Sequence, residues 1–403
     1  MRWVVVGAGA AGCVMAARLV EAGEEVVLVE AGSATPATDS TGGRSFFDAI
    51  ATPGRVFPGP FLRGRGVGGS STVNGMIATR GDEAQYRAWG WDDTVAAFAR
   101  VRVPTEPAPD DELGPIDLAL LAAAPDCIRP LLTRRGGRRV TAFEAYLGDA
   151  ATTVTGRIDL LADAPASRVV MRGDRATGVH LADGTIVEAD AVVVSAGAIG
   201  SPLLLFASGV GGSHVGRHLR NHAALPVDVL LRPDVAVDPH GLVSATLLRR
   251  DDLQVLPVNH LGPTEPGGTA GFLVMAMEAT GNGHVHPGDE ADPVVAPVLS
   301  DDDHRRLAAG IALVHELLAH PALRAIVTDV EVGDAPAGVY HATSTCRMGD
   351  VVDDDAAVLG CRQLFVVDAS IFPGLPSTNT YLPTLMLAER MVAKVLRSAQ
   401  DGF

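Results

Sequence analysis

Apolar and polar positions along the chain first predict a βαβ unit. Trp3 to Val6 form a short apolar run, Gly7-Ala8-Gly9-Ala10-Ala11-Gly12 follow, and Ala11 to Ala22 carry apolar residues at helical spacing. Gly23 closes that helix, and Val26 to Val29 read as a second buried strand. Farther on, Val169–Met171, Gly178–Leu181 and Thr185–Ala189 read as strands, the last two joined by an Ala182-Asp183-Gly184 turn. A buried strand, Ala191–Val194, then runs into the small residues Ser195 to Ser201, with a helix expected from near Pro202. The pattern changes after residue 222. Val227–Leu231, Leu253–Val258 and Phe272–Met277 alternate with period two and predict strands of a second sheet, half-buried on one face. Ser300 to His320 predicts a helix with Leu307, Ile311, Val314 and Leu318 on one side. Leu364–Val367 reads as a strand, and Ser377 to Thr384 opens a last helix running through Leu396. Between residues 91 and 138, Pro104, Pro107, Pro109 and Pro115 stand among acidic residues; this stretch reads as loop, placed to cap an active site.

Composition narrows what such a chain can do. Its 403 residues carry a formal charge of −16, which repels phosphate backbones and excludes a general nucleic-acid binder. No uninterrupted apolar run reaches the roughly 18 residues of a transmembrane helix. With 45 glycines and 26 prolines but 4% aromatics, backbone contacts to a ligand are favoured over aromatic stacking, and a bound phosphate compound is the natural candidate. Cys13, Cys127, Cys346 and Cys361 make neither a disulfide framework nor a CxxC zinc pair. Those sparse thiols, and an N-terminal strand that leaves no room for a leader peptide, make a cytoplasmic location the expectation. No metal is expected: His284 and His286 lack a third ligand, and the spacing of His315 and His320 puts their imidazoles about 140° apart on a helix.

The glycines of the first turn carry chemistry. Gly7 permits the tight turn, Gly9 lets the backbone approach a pyrophosphate, Gly12 lets helix and strand pack closely, and the helix N-terminus faces the anion. Glu30 ends the second strand, 23 residues after Gly7, where a carboxylate accepts hydrogen bonds from both ribose hydroxyls and repels a 2′-phosphate. That motif alone leaves NAD and FAD open. A second glycine-rich segment runs Gly64-Arg65-Gly66-Val67-Gly68-Gly69-Ser70-Ser71-Thr72-Val73-Asn74-Gly75-Met76, then Arg80-Gly81. Its successive N–H groups and serine hydroxyls make an anion nest. It resembles the first signature of the glucose-methanol-choline (GMC) oxidoreductases, FAD-dependent enzymes that oxidise alcohols. The run Ser195–Pro202 with Leu203–Leu205 and Ser208–Gly211 resembles the second signature.

The resemblance implies noncovalent FAD, because Asn74 stands where some members carry a flavin-linking histidine. By the same resemblance, Gly7, Gly9, Ala10, Ala11, Gly12, Glu30, Ala31, Arg65, Gly68, Gly69, Ser70, Asn74, Gly75, Val169, Ala196, Gly197, Asp368, Ala369 and Thr380 hold the cofactor. Tyr340-His341-Ala342-Thr343-Ser344-Thr345-Cys346-Arg347-Met348-Gly349 is similar to the family's Tyr-His-Pro-x-Gly-Thr-x-x-Met-Gly. Carried over, His341 is the base that takes the hydroxyl proton while hydride passes to flavin N5, and Asn379 is its partner at the substrate oxygen. Ala342, Ser344 and Tyr381 depart from the usual residues. Val215–His222 resembles Gly-x-Asn-Leu-x-Asp-His but departs at His218 and Asn221, and no role is assigned to it.

The expected architecture is an α/β Rossmann-like FAD-binding domain from residues 1–90, 139–222 and 338–403. Residues 91–138 and 223–337 form a lid and a reduced α+β substrate domain built on an antiparallel sheet. The expected activity is FAD-dependent oxidation of an alcohol, with a protein, a quinone or a small redox carrier as the acceptor. A lyase on the same fold, of the hydroxynitrile lyase kind, and a redox-silent binding protein are the alternatives. GMC relatives are usually longer. The shortage is expected in the lid and substrate half, which implies a more open site suited to a bulky substrate or docking carrier.

Overall fold

Trp3, Val4 and Val5 are completely buried, as are Leu28 and all four residues of Ala191–Val194; such strands are stable only with both faces covered. They form a five-stranded parallel sheet in the order Leu364–Val366, Ala191–Val194, Arg2–Val6, Glu25–Val29, Ile158–Leu161. The computed structural model describes residues 1–35, 45–59, 61–148, 158–262, 268–288, 293–333 and 339–401. The helices Ala10–Glu21 and Tyr381–Asp401 pack on each other and share one core with this sheet. The three strands expected between 169 and 189 appear as Ala166–Arg172, Arg175–Leu181 and Ile186–Glu188, an antiparallel sheet of its own.

The alternating segments form a five-stranded antiparallel sheet ordered Leu248–Arg250, Leu253–Val258, Thr269–Ala276, Ala223–Leu231, Val327–Val332. Period-two alternation divides its side chains. Val227, Val229, Val255, Val274 and Ala276 join Leu307, Val314 and Leu317 of the helix Asp301–Leu318, whereas Ala224, Leu256, Met275 and Met277 fall into a separate cluster on the opposite face. Ser300 caps that helix, its Oγ accepting from the Asp303 N–H while Asp303 accepts from the Ser300 N–H. The chain is thus a parallel α/β unit joined to a smaller unit built on an antiparallel sheet.

Two expectations need correction. The helix expected near Pro202 runs from Gly197 to Ser208, with the proline inside it. Pro202 has no N–H to give to the Ala198 carbonyl one turn back, and the Thr345 hydroxyl donates to that carbonyl instead, at 2.6 Å. Residues 91–138 are not simply loop. They contain the helices Thr94–Arg100 and Pro115–Ala123, the second starting at one of the prolines that suggested a loop. Ala97 and Phe98 pack into the parallel-sheet core, and Ile116 and Leu120 into the core of the antiparallel sheet.

Candidate active site

A continuous cavity of about 980 Å³ runs from the first glycine turn to His341, at the upper end of the range for a single ligand pocket. Gly7, Gly9, Ala10, Ala11, Glu30, Ala31, Gly69, Ser70, Asn74, Gly75, Ala196, Gly197, Asp368, Ala369 and Thr380 all line it, together with His341 and Asn379. Four parallel strands deliver Gly7, Glu30, Ala196 and Asp368 at their C-terminal ends, where open α/β sheets bind ligands.

The glycines show why the first turn can serve as a cradle. Gly7 has φ +100°, and a Cβ on Gly12 would lie 1.8 Å from the Gly7 carbonyl oxygen, so helix and strand touch backbone to backbone. A Cβ on Gly69 would lie 2.7 Å from Gly9 Cα, which locks the two glycine-rich segments together. On the cavity side the reverse holds: a Cβ at Gly75 or Gly197 would meet nothing within 4 Å. Gly9 caps the helix Ala10–Glu21 with no side-chain hydrogen bond, leaving the helix N-terminus to an anion. The Tyr381 hydroxyl is buried beside Ser71, whose Oγ already serves the Gly68 carbonyl and the Ala142 N–H, and finds no hydrogen-bond partner among the described residues. Uncapped N–H groups and open glycines on one cavity fit a dinucleotide cofactor.

Glu30 accepts from the Ala8, Gly32 and Gly66 N–H groups at 2.9, 2.9 and 3.0 Å, joining both glycine segments. Arg139, missed in the sequence, donates to Asn74 Oδ1 at 2.6 Å and to the Asn74 carbonyl at 2.8 Å. With the Met76 N–H also on Oδ1, the Asn74 amide nitrogen is left to the cavity. Asp368 is buried, which pushes its carboxyl up; it accepts from Gly197 N and Ser201 Oγ and so ties the strand Leu364–Val366 to the helix Gly197–Ser208.

Gly12, Arg65, Gly68 and Val169 do not line the cavity. Gly12 and Gly68 act behind the wall, Gly68 N donating to Ala8 O at 2.8 Å. Arg65 donates to the Ala31 carbonyl at 2.9 Å. Val169 faces the core, and Ala166 and Ser167 of the same strand line the cavity in its place. The cover over the cavity comes from Phe46, Phe47, Ile50, Phe57 and Phe61, with no described residue of 91–138 among the lining. Phe61 meets Tyr340 edge-on at 5.4 Å.

The segment assigned no role proves to position His341. Residues 216–220 run antiparallel to 343–345: Gly216 N donates to Thr345 O at 2.7 Å, and Arg220 and Thr343 exchange bonds of 3.1 and 2.9 Å. At the end of this pairing Asn221 Oδ1 accepts from the His341 N–H at 2.9 Å, and the Nδ1 atoms of His222 and His341 lie 2.8 Å apart. His222 Nε2 is 3.0 Å from the Pro376 carbonyl, and Asn379 Nδ2 is 3.5 Å from His341 Nε2.

Burial holds the pKa of His222 well below the usual imidazole value and brings that of His341 down to about 4, so both rings are neutral near pH 7. The Pro376 carbonyl, 3.0 Å from Nε2, can only accept, so the tautomer assigned to His222 carries its proton on Nε2, with the Met277 carbonyl a second acceptor near the ring, and presents a lone pair at Nδ1 to His341. His341 therefore carries its proton on Nδ1, and its Nε2 lone pair faces Asn379. One further cluster, His214, His218 and Asp350, brings potential ligand atoms within 4.8 Å of one another, but Arg347 already holds the Asp350 carboxylate at 2.6 Å.

Comparison with known proteins agrees with this arrangement. Two profiles, both described as GMC oxidoreductase, match residues 1–105 with 123–224 and residues 280–388. A 5-(hydroxymethyl)furfural oxidase of Methylovorus sp. (strain MP688) is 28% identical, with 98% of this chain and 99% of that protein aligned. An oxygen-dependent choline dehydrogenase of Photobacterium profundum is 26% identical over 98% of this chain and 92% of that protein. The crystal structure of a pyridoxine 4-oxidase from Mesorbium loti superposes with a TM-score of 0.83 at 23% identity, covering 97% of this chain and 98% of that one.

Proposed function

The chain belongs to the GMC oxidoreductase family and is an FAD-dependent alcohol oxidoreductase, and from that premise we propose that His341 Nε2 takes the hydroxyl proton of an uncharged alcohol held by Asn379. The observation that carries this reading is the directed row Pro376 O, His222, His341, which leaves a lone pair on the cavity side of His341. FAD, when bound, supplies the acceptor for the hydride that leaves the carbinol carbon.

The hydroxyl fits between two groups of opposite sense. Its proton points at His341 Nε2, and its oxygen accepts from Asn379 Nδ2; the 3.5 Å gap between those nitrogens is too long for a strong direct bond and is bridged by the oxygen. As the proton moves to Nε2, the new imidazolium keeps its Nδ1–H donated to His222, a charge-assisted bond stronger than the neutral one. A neutral ring needs no prior deprotonation at physiological pH. The residues predicted for the cofactor that line the cavity would hold FAD, noncovalently at Asn74.

The substrate-side wall is mostly apolar, with Met76, Ile77, Leu242, Leu256, Leu273 and Met275, although Asp228 and Ser244 also line the cavity; this balance supports an apolar alcohol, aryl or alkyl, over a sugar. At about 0.8 kcal/mol per buried methylene, kcat/KM should rise about fourfold for each CH2 added until the wall is filled. A panel of benzyl alcohol, 5-hydroxymethylfurfural, straight-chain primary alcohols and choline, scored by anaerobic bleaching of the flavin, tests this. Reoxidation by oxygen, a quinone or a dye then identifies the class of acceptor. His341→Ala is expected to purify yellow and to lose alcohol-dependent bleaching; unchanged turnover in that variant would overturn the assignment.

A further inference from the structure

Resting on that reading of His341 and Asn379, we infer that Gln254 is a positioning residue that holds the Asn379 amide by its oxygen, so that the N–H end faces the reacting oxygen. Gln254 lies on the strand Leu253–Val258, between Arg249 and Met275 of its neighbours, and is completely buried. Its Nε2 is 3.3 Å from Asn379 Oδ1, and its own Oε1 is buried with no hydrogen-bond partner among the described residues. The Asn379 amide is thus gripped at its oxygen end by Gln254 and meets His341 at its nitrogen end.

An amide is nearly symmetrical in shape, so these two contacts alone would permit either orientation. The Pro376 carbonyl removes the choice. Because it can only accept, His222 donates to it, His341 donates to His222, Asn379 donates toward His341, and Gln254 donates to Asn379. Reversing the amides would require a proton on His341 Nε2, then a proton on His222 Nδ1, and finally a bare His222 Nε2 lone pair against the Pro376 oxygen. The reversed chain fails at that last link, which sets the direction of the whole row.

That direction matters for the reaction. With Gln254 holding Oδ1, Asn379 offers an N–H to the oxygen on which negative charge develops. Turned over, Asn379 would present Oδ1 to that charge and would favour a proton on His341 Nε2, disabling the base. The antiparallel sheet thereby reaches the reacting oxygen through one buried side chain.

The test reads proton positions as well as turnover. Full-length, FAD-loaded protein labelled with 15N-histidine is titrated as wild type, Gln254→Glu and Gln254→Met, with the His341 signals assigned by their loss in His341→Gln. Wild type should show His341 protonated on Nδ1 and neutral through the neutral range. In Gln254→Glu the protonated acid can still donate to Asn379 Oδ1, but the carboxylate attracts Nδ2 and turns Oδ1 toward His341. The His341 protonation midpoint should therefore rise, and turnover of the best alcohol in the panel should fall with increasing pH where wild type is flat. Gln254→Met should keep the Nδ1–H tautomer, which Pro376 fixes from the other side, and should lower kcat about tenfold with KM within about twofold, the cost of one lost hydrogen bond. Histidine signals and a pH profile in Gln254→Glu that superpose on wild type would overturn the inference, while an inactive His341→Ala would leave the reading of the base standing. If Gln254→Glu does not fold, unchanged kcat and KM in Gln254→Met overturn it alone.

Discussion

His222 offers the sharpest test of the directed row, because its two ring nitrogens do different jobs. Nε2 donates to the Pro376 carbonyl and Nδ1 accepts from His341, and only 2% of the residue is exposed. Truncation to Ala leaves the carbonyl and the His341 N–H without partners, at about 1–3 kcal/mol of stability for each buried orphan. The rate effect has a separate origin. The lost contact both pins the His341 tautomer, worth about 1 kcal/mol, and stabilises the imidazolium formed as the proton arrives, where bonds to charged groups are worth about 1.5–3 kcal/mol. At 1.36 kcal/mol per tenfold, the sum of the two slows flavin reduction by roughly 70- to 900-fold. Two substitutions separate the jobs. His222→Asn places Oδ1 near the position of Nδ1 and keeps an acceptor for His341, so it should lose less than about tenfold. His222→Gln keeps the donor to Pro376 but not the acceptor, and should fall with Ala. The assay is anaerobic stopped-flow reduction of the bound flavin, with melting temperatures measured in parallel to separate folding from rate. A Gln variant as fast as wild type, or faster than the Asn variant, would refute the directed row.

Two further outcomes follow from burial and backbone geometry. The depressed pKa of His341 places the acid limb of kcat/KM near pH 4, with the rate rising as pH rises through it and flat to neutrality; a pH–rate profile of the free enzyme checks this. The same depression makes the unfolded chain, with histidines near 6.5, bind protons before the native state does. Stability should therefore be full above pH 6.5 and fall by about 3 kcal/mol for His341 alone as pH drops toward 4, measurable by urea unfolding across that window. Ser344 sits at φ +68°, a left-handed conformation costing an ordinary residue about 1–2 kcal/mol, so Ser344→Gly should stabilise the protein by about 1 kcal/mol in denaturant titration.

Much of this was legible because burial writes a different pattern for each sheet. The parallel strands read as continuous apolar runs and the antiparallel ones as alternation, so four strands of the first sheet and three of the second were expected where they lie, whereas Ile158–Leu161, Leu248–Arg250 and Val327–Val332 were not. The site was legible at its ends and not at its centre. Residues 215–222 were set aside because His218 and Asn221 differ from the family's Asn and Asp, yet each suits its place in this structure. His218 has φ +60°, which asparagine and histidine tolerate better than most side chains. Asn221 needs only an oxygen to accept the His341 N–H, which an aspartate would also have. Judged by role rather than identity, the segment would have pointed to His222. The cover over the cavity had a signal of its own: four of the eleven phenylalanines fall between residues 46 and 61. Gln254 was harder to find, since a buried polar residue within an apolar strand acquires meaning only when the sheet brings it to Asn379, 125 positions away.

The short chain and the intact site are reconciled by where the site is built. The alignment with the 5-(hydroxymethyl)furfural oxidase extends over 528 positions and includes 98% of these 403 residues, so the difference in length lies in internal gaps. Four of the residues proposed for the cofactor lie within two residues of a parallel strand end: Gly7 after Val6, Glu30 after Val29, Ala196 two after Val194, and Asp368 two after Val366. The proposed reacting pair, His341 and Asn379, is held by the crossing of 216–222 with 341–345 and by the last helix, whose first turn follows Asn379 and Thr380. None of these anchors depends on the length of the connections between them. The helices Thr94–Arg100 and Pro115–Ala123, within the stretch expected to be a lid, bury their apolar residues in the two cores rather than over the cavity, and the cover falls to the aromatic segment 46–61. Connections can shorten, on this argument, as long as the strand ends and the crossing are kept, because the chemistry is held by backbone pairing and by a row of hydrogen bonds whose direction one carbonyl sets.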